Sequence, residues 1–251
     1  MNGDGFTLGE GARGVVLVHG FTASAQEVEG LAAFLAERGF RVAAPLLAGH
    51  NASFEDFART TALDYVESVV RAYDELEGCE SVDVVGLSFG AILGIHLATL
   101  RPVRRLVLLA PAFRLLGLSA RLTWLGRRYR GRMQKAVERN PKTGLESPWD
   151  LNDVEACERR IAYDFFGIPQ LHGLQRLALG ARKELRASER PLLVIHSRGD
   201  RTASFDHARR EFDRAAAGEK RFVELTESGH VVTDDLDRAR VADEVLAFLA
   251  S

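Results

Sequence analysis

Cysteine is scarce in this chain: Cys79 and Cys157 are the only two in 251 residues. They are too few and too far apart for a disulfide framework or a zinc knuckle, so two reduced thiols are expected. Lysine occurs only at Lys135, Lys142, Lys183 and Lys220, and arginine carries nearly all the positive charge. No charge of either sign is in excess. With 33 basic and 35 acidic residues the net charge is -2, which gives no electrostatic ground for a nucleic-acid partner. Long apolar runs are missing too. The longest candidate, 106–118, is broken by Arg114 and Gly117 and falls short of the roughly 20 residues that span a bilayer. The opening residues MNGDGFTLGE lack the basic and apolar regions of a signal peptide. Together these absences predict a protein that stays in the cytoplasm and does not insert into a membrane. Neither His-x-x-x-His nor Cys-x-x-Cys spacing occurs, and the glycines between Gly3 and Gly14 lack the strand and helix of a phosphate loop. No metal and no cofactor are expected.

What is present is an ordinary globular composition, 46% hydrophobic and 27% charged, and a clear alternation of patterns. Continuous β-branched runs at 14–19, 40–44, 82–85, 103–109, 191–196 and 222–225 read as buried strands. Helical stripes at 25–38, 63–76, 91–100, 205–217 and 236–249 fall between and after them. Strands alternating with helices predict an α/β fold, a mostly parallel sheet with helices on both faces. Residues 111–190 break the rhythm, showing helical patterns separated by Gly and Pro and no convincing strand. So long a segment cannot be a structureless loop. It reads as a helical cap inserted between late strands, with 1–110 and 191–251 forming the core.

The sharpest local signal is Gly86-Leu87-Ser88-Phe89-Gly90, directly after one strand run and directly before a helix. A nucleophile on a strand-to-helix elbow needs this pattern, because side chains two residues either way would collide with neighbouring backbone. His19-Gly20-Phe21 follows the first strong strand. There the Phe21 N–H is placed to stabilise an oxyanion, with the N–H of Phe89 as second donor. Asp200 follows the strand that ends at His196, and His230 follows the strand 222–225. Rival acids have simpler explanations. Asp206 lies in a helical pattern, Asp234 is placed to cap the last helix, and Asp83 is inside a strand. His96, His172, His196 and His207 sit on helices, a strand or the insertion, and His50 lies in a loop able to rim the site. Gly229 gives the His230 loop freedom to carry an imidazole toward Ser88. The chemistry these residues suit is acyl transfer, with Ser88 as nucleophile, His230 as base and Asp200 orienting the base.

Taken together, LVHGFTAS, AGH, GLSFGA, Gly199-Asp200 and ESGHVVTDD resemble the α/β-hydrolase superfamily, and within it the bacterial carboxylesterase and monoacylglycerol-lipase-like branch. The likeness runs through the strands and helices and fades inside 111–190. It implies the α/β-hydrolase fold and cofactor-free cleavage of short- to medium-chain acyl esters or monoacylglycerols. Ser88, Asp200 and His230 match the branch's triad, and Phe21 and Phe89 its oxyanion donors. Ala91 stands where many relatives have Gly, a difference of packing. Haloalkane dehalogenases and epoxide hydrolases of this fold carry aspartate at the elbow, so Ser88 excludes their chemistry. A thioesterase or amidase with the same triad, and a ligand-binding member with little turnover, remain open alternatives. The expected partner is a small-molecule ester. Leu115, Leu118, Leu122, Leu125, Tyr129 and Met133 fall at helical spacing, opposite Arg114, Arg121, Arg128 and Arg132. That stripe suits either a cap helix over the acyl pocket or transient contact with a lipid surface.

Overall fold

The computed structural model describes residues 2–117, 123–124, 126, 128–129 and 131–251. Its first half runs β1 (Phe6–Leu8), β2 (Arg13–Val18), α1 (Gln26–Ala36), β3 (Phe40–Ala44), α2 (Phe54–Arg59) and α3 (Ala62–Asp74). Next come β4 (Ser81–Leu87), α4 (Phe89–Leu100) and β5 (Leu106–Leu109). The insertion holds β6 (Arg132–Gln134), β7 (Glu138–Arg139), β8 (Glu146–Ser147), α5 (Val154–Glu158), β9 (Phe165–Gly167) and α6 (Ile168–Ala187). The chain then ends with β10 (Leu192–Ser197), α7 (Phe205–Asp213), β11 (Lys220–Leu225) and α8 (Arg238–Ala250).

The main sheet has seven strands in the order β1-β3-β2-β4-β5-β10-β11. All neighbours run parallel except β1, which pairs antiparallel with β3. Because alternate side chains point to opposite faces, the valine- and leucine-rich strands feed two cores. Val16, Val18, Val84, Leu108 and Val194 pack with α3, α4, α6 and α7. Val15, Leu17, Val85, Leu109 and Ile195 pack with α1 and α8. Each such side chain, fully buried, contributes roughly 1.5–3 kcal/mol. The central helix α4 is apolar on nearly every side because it lies between the sheet and the helices α3 and α6. Thr61 and Asp64 form a capping box that sets the start of α3. Asp83, inside β4, is buried and paired with Arg104 at 2.7 Å, which accounts for it structurally.

The insertion corrects the expectation of an all-helical segment. Arg132–Gln134 pairs antiparallel with Phe165–Gly167, and Glu138–Arg139 with Glu146–Ser147. Strands of two or three residues are too short to leave a period in the sequence. Of the expected apolar stripe, Leu118, Leu122 and Leu125, with Arg121, lie outside the described residues. Met133 and Arg132 belong to β6, and Leu115 makes an isolated bridge to Ala203. Gly126 and Gly131 each disfavour a helix by about 1 kcal/mol, and Gly131 directly precedes β6. Among the described residues, no helix is long and apolar enough to cross a membrane.

Candidate active site

The carboxyl ends of β2, β4, β10 and β11 meet at one edge of the sheet, where open α/β sheets bind ligands. Ser88 follows β4 with φ 57° and ψ -110°, a backbone region that costs a non-glycine residue about 1–3 kcal/mol. The flanking glycines are there for space. A Cβ on Gly86 would stand 2.3 Å from the Gly90 carbonyl oxygen, and one on Gly90 would stand 2.2 Å from that of Val18. The elbow is clamped from beneath by the Ser88 N–H, which donates to the Leu109 carbonyl at 2.8 Å.

Ser88, His230 and Asp200 meet. Ser88 Oγ lies 2.8 Å from His230 Nε2, and His230 Nδ1 lies 2.7 Å from Asp200 Oδ2. With the imidazole proton on Nδ1, the serine hydroxyl donates to the ring and the ring donates to the carboxylate. The other oxygen of Asp200 accepts the N–H groups of Thr202 and Ala203 at 2.8 and 2.7 Å. His196 Nε2 approaches Asp200 Oδ2 to 2.9 Å. Its direction is off line, and neither ring nitrogen has a hydrogen-bond partner among the described residues. Burial opposes charge on Asp200, but the His230 imidazole and the hydrogen bonds overcome it and hold the pKa below the usual carboxylate range. Burial likewise opposes charge on His230, yet the Asp200 carboxylate, helped by Asp150 and Glu27, raises its pKa above 6.5.

Two aspartates that sequence reasoning missed hold the His230 loop. Asp235 is fully buried and accepts the N–H groups of Asn152, Asp153 and Gly229 at 2.7–3.1 Å. Asp237 accepts from the Glu227 and Ser228 N–H groups at 3.1 and 2.9 Å. Gly229 therefore serves close approach rather than loop freedom, since a Cβ there would come within 2.6 Å of Asp150 Oδ1. Asp234 pairs with Arg159, and α8 is preceded by Asp237 rather than capped by Asp234.

The loop after β2 is fixed by two buried histidines. His19 Nε2 accepts the Leu47 N–H at 3.1 Å, and His50 Nε2 accepts the Thr22 N–H at 2.9 Å. Burial lowers the pKa of His19 and takes that of His50 to about 3, so both stay neutral acceptors. His50 thus supports the loop rather than rimming the cleft. The turn itself is made by Thr22 at φ 64°. Gly20 gives room, because a Cβ there would stand 3.0 Å from Glu27 Oε2 and 3.4 Å from Ser88 Cβ. No hydrogen bond occupies the N–H of Phe21 or Phe89 among the described residues, and Phe89 opens α4, where a first-turn N–H has no intrahelical acceptor.

A cleft of about 290 Å³ opens on Ser88 and His230. Its lining includes the apolar side chains of Phe21, Leu115, Phe166, Leu171 and Leu174 and the polar ones of Thr22, Glu27, Lys135, Arg160, Asp150 and Arg201. Most of these side chains come from residues 111–190, where an apolar pattern that includes Leu115 is the only sequence signal. Among the described residues no group of acidic, histidine and cysteine side chains could hold a metal ion.

A profile of the alpha/beta hydrolase family matches residues 15–244. The chain is 31% identical over 247 residues to the thermostable monoacylglycerol lipase of Bacillus sp. (strain H-257), covering 98% of this chain and 93% of that protein. It is 26% identical to the carboxylesterase of Bacillus subtilis (strain 168), covering 97% and 95%. Among solved structures, one from the metagenome-derived lipolytic enzymes LipS and LipT superposes with a TM-score of 0.87 at 24% identity, covering 99% and 98%. The monoacylglycerol lipase of Paleococcus ferrophilus superposes at 0.80 with 20% identity, covering 98% and 97%, so these two likenesses speak to the fold. The chain belongs to the alpha/beta hydrolase family.

Proposed function

We propose that this protein is a cofactor-free serine hydrolase of carboxylic esters, acting on short- to medium-chain acyl esters or monoacylglycerols. The observation that carries this reading is the hydrogen-bonded series Ser88–His230–Asp200 at 2.8 and 2.7 Å, opening on a cleft lined in part by apolar side chains. Ser88 Oγ attacks the acyl carbonyl as its proton passes to His230 Nε2, and the N–H groups of Phe21 and Phe89 take the oxyanion. The tetrahedral intermediate collapses, His230 protonates the departing alcohol, and an acyl-Ser88 ester remains. A water that gives its proton to His230 then attacks that ester, releasing the acid and restoring Ser88. Asp200 holds the ring and stabilises its charged form. In this reading 1–110 and 191–251 are the catalytic core, and 111–190 is the cap that supplies the acyl wall through Leu115, Phe166, Leu171 and Leu174. Its α6 also packs on α4 and so belongs to the helical layer as well. Cytoplasmic residence is part of the same reading, supported by two cysteines that are both free thiols. The test is hydrolysis of p-nitrophenyl esters of increasing chain length and of acylglycerols by the wild type and Ser88→Ala. Turnover that depends on Ser88 and peaks at short to medium chains is expected, and turnover independent of Ser88 would overturn the reading.

A further inference from the structure

Buried cations are costly unless each meets an anion or a full set of acceptors. On the Thr22 side of the Ser88 cleft, cationic donors outnumber their acceptors. The Arg160 side chain is 7% exposed and pairs with Glu27 through Nη2, while its Nε and Nη1 are buried without a hydrogen-bond partner among the described residues. Glu27 is engaged twice, its Oε1 on Arg160 and its Oε2 on the Gly20 N–H at 2.7 Å. Half-buried Lys135 donates to Thr22 Oγ1 at 2.6 Å and makes no ion pair among the described residues. Burial, with Arg160 nearby, takes its pKa down to about 7 against the pull of Glu27 and Asp164. Other carboxylates in this region are committed elsewhere, among them Asp234, which acts electrostatically on Arg160 but pairs with Arg159. Asp164 pairs with Arg132 at 3.2 Å, and Asp150 with Arg201 at 2.9 Å. Glu138 stands 3.9 Å from the same Arg201.

We propose that Lys135 and Arg160 form a subsite for an anionic group, a carboxylate or a phosphate, carried on the alcohol portion of the ester that Ser88 cleaves; Thr22, whose hydroxyl donates to the Phe21 carbonyl, only positions Lys135. The inference rests on the ester-hydrolase reading of Ser88. It assigns the alcohol side because the apolar lining residues Phe166, Leu171 and Leu174 suit an acyl chain, leaving the charged lining residues for the leaving group. An oxyanion there would accept from the free Arg160 donors and from Lys135 together, a charge-assisted arrangement that favours anions over hydroxyls. The same two side chains also tie the insertion to the core through Glu27 and Thr22. If that were their whole role, neutral and anionic esters would respond alike to their removal.

The test compares 1-octanoylglycerol 3-phosphate, octanoyloxyacetate and neutral 1-octanoylglycerol. Their affinities for Ser88→Ala are measured by calorimetry and their kcat/KM values with the wild type. At least one anionic ligand is expected to bind at least about tenfold more tightly than the neutral one. Lys135→Met in the Ser88→Ala background should reduce that ratio about tenfold. The phosphate and carboxylate arms show which anion the subsite takes. Equal affinity for all three, or a ratio unmoved by Lys135→Met, would overturn the proposal. Should that variant fail to fold, the Ser88→Ala ratio decides alone. Anion-selective binding without any Ser88-dependent turnover would sustain the subsite and sink the esterase reading. Turnover of the neutral ester without anion preference would do the reverse.

Discussion

Ser88 sits in a strained left-handed conformation between two glycines that cannot bear a Cβ, and its hydroxyl reaches a histidine that a buried carboxylate keeps basic. If that arrangement is the catalytic machinery, Ser88→Ala lowers kcat by about 10⁶, the loss known for the subtilisin nucleophile, while the thermal midpoint stays close to that of the wild type. A variant retaining turnover within tenfold of wild type would contradict the assignment. Asp200→Asn is expected to lower kcat by up to about 10⁴, as for the equivalent change in a serine protease. The pH dependence follows from His230. Its charged form is favoured, so its pKa lies above 6.5, and the reaction needs the neutral ring. The acidic limb of kcat/KM should therefore have its midpoint above pH 6.5, and in Asp200→Asn the residual activity should titrate at lower pH because the raising charge is gone. Midpoints that coincide in the two proteins would refute the coupling.

Elements show where the amino-acid pattern suffices and where it does not. Gly90→Ala places a methyl group 2.2 Å from the Val18 carbonyl at the crossing of β2 and α4. Urea titration should register a loss of roughly 1–3 kcal/mol or more, with turnover falling as the elbow shifts. Gly30→Ala, in α1 with nothing within 4 Å of the added Cβ, should instead stabilise by roughly 0.5–1 kcal/mol. Similar effects from both would show that the elbow glycines are not there for space. The buried strands and the elbow were legible because both are local: runs such as VVLV have one reading on a parallel sheet, and GLSFG joins a strand to a helix. Ser88, Asp200 and His230 could be picked out because each follows a strand end at the same edge. The strands β6 to β9 were not legible, since Arg132–Gln134 finds its partner some thirty residues on at Phe165–Gly167. Nor could Asp235, Lys135 or Arg160 be singled out, because their meaning comes from groups distant in sequence: Asn152 and Gly229, Thr22, and Glu27.

Across the whole molecule, the insertion and the core are stitched together around the cleft. The Tyr163 N–H donates to the Thr22 carbonyl at 2.7 Å, Ser24 Oγ donates to the Ile161 carbonyl at 2.8 Å, and the His230 N–H donates to the Asp150 carbonyl at 2.9 Å. The Thr22 and His230 loops are thus each braced by backbone of 111–190, so this segment and the sheet edge that carries Ser88 form one hydrogen-bonded unit. In the reading proposed here the cap both lines the acyl site and sets the loop geometry. Phe166→Ser and Leu171→Ser should then raise KM more for octanoyl than for acetyl esters, whereas equal effects on both would deny the acyl-wall role. The central claim is that Ser88 is the nucleophile, and covalent labelling tests it most directly. Incubation with a fluorophosphonate, followed by intact mass and peptide mapping, should give one adduct, on Ser88, with activity lost in step and no labelling of Ser88→Ala. An active protein that takes no label at Ser88, or is inactivated by an adduct at another residue, would contradict the account.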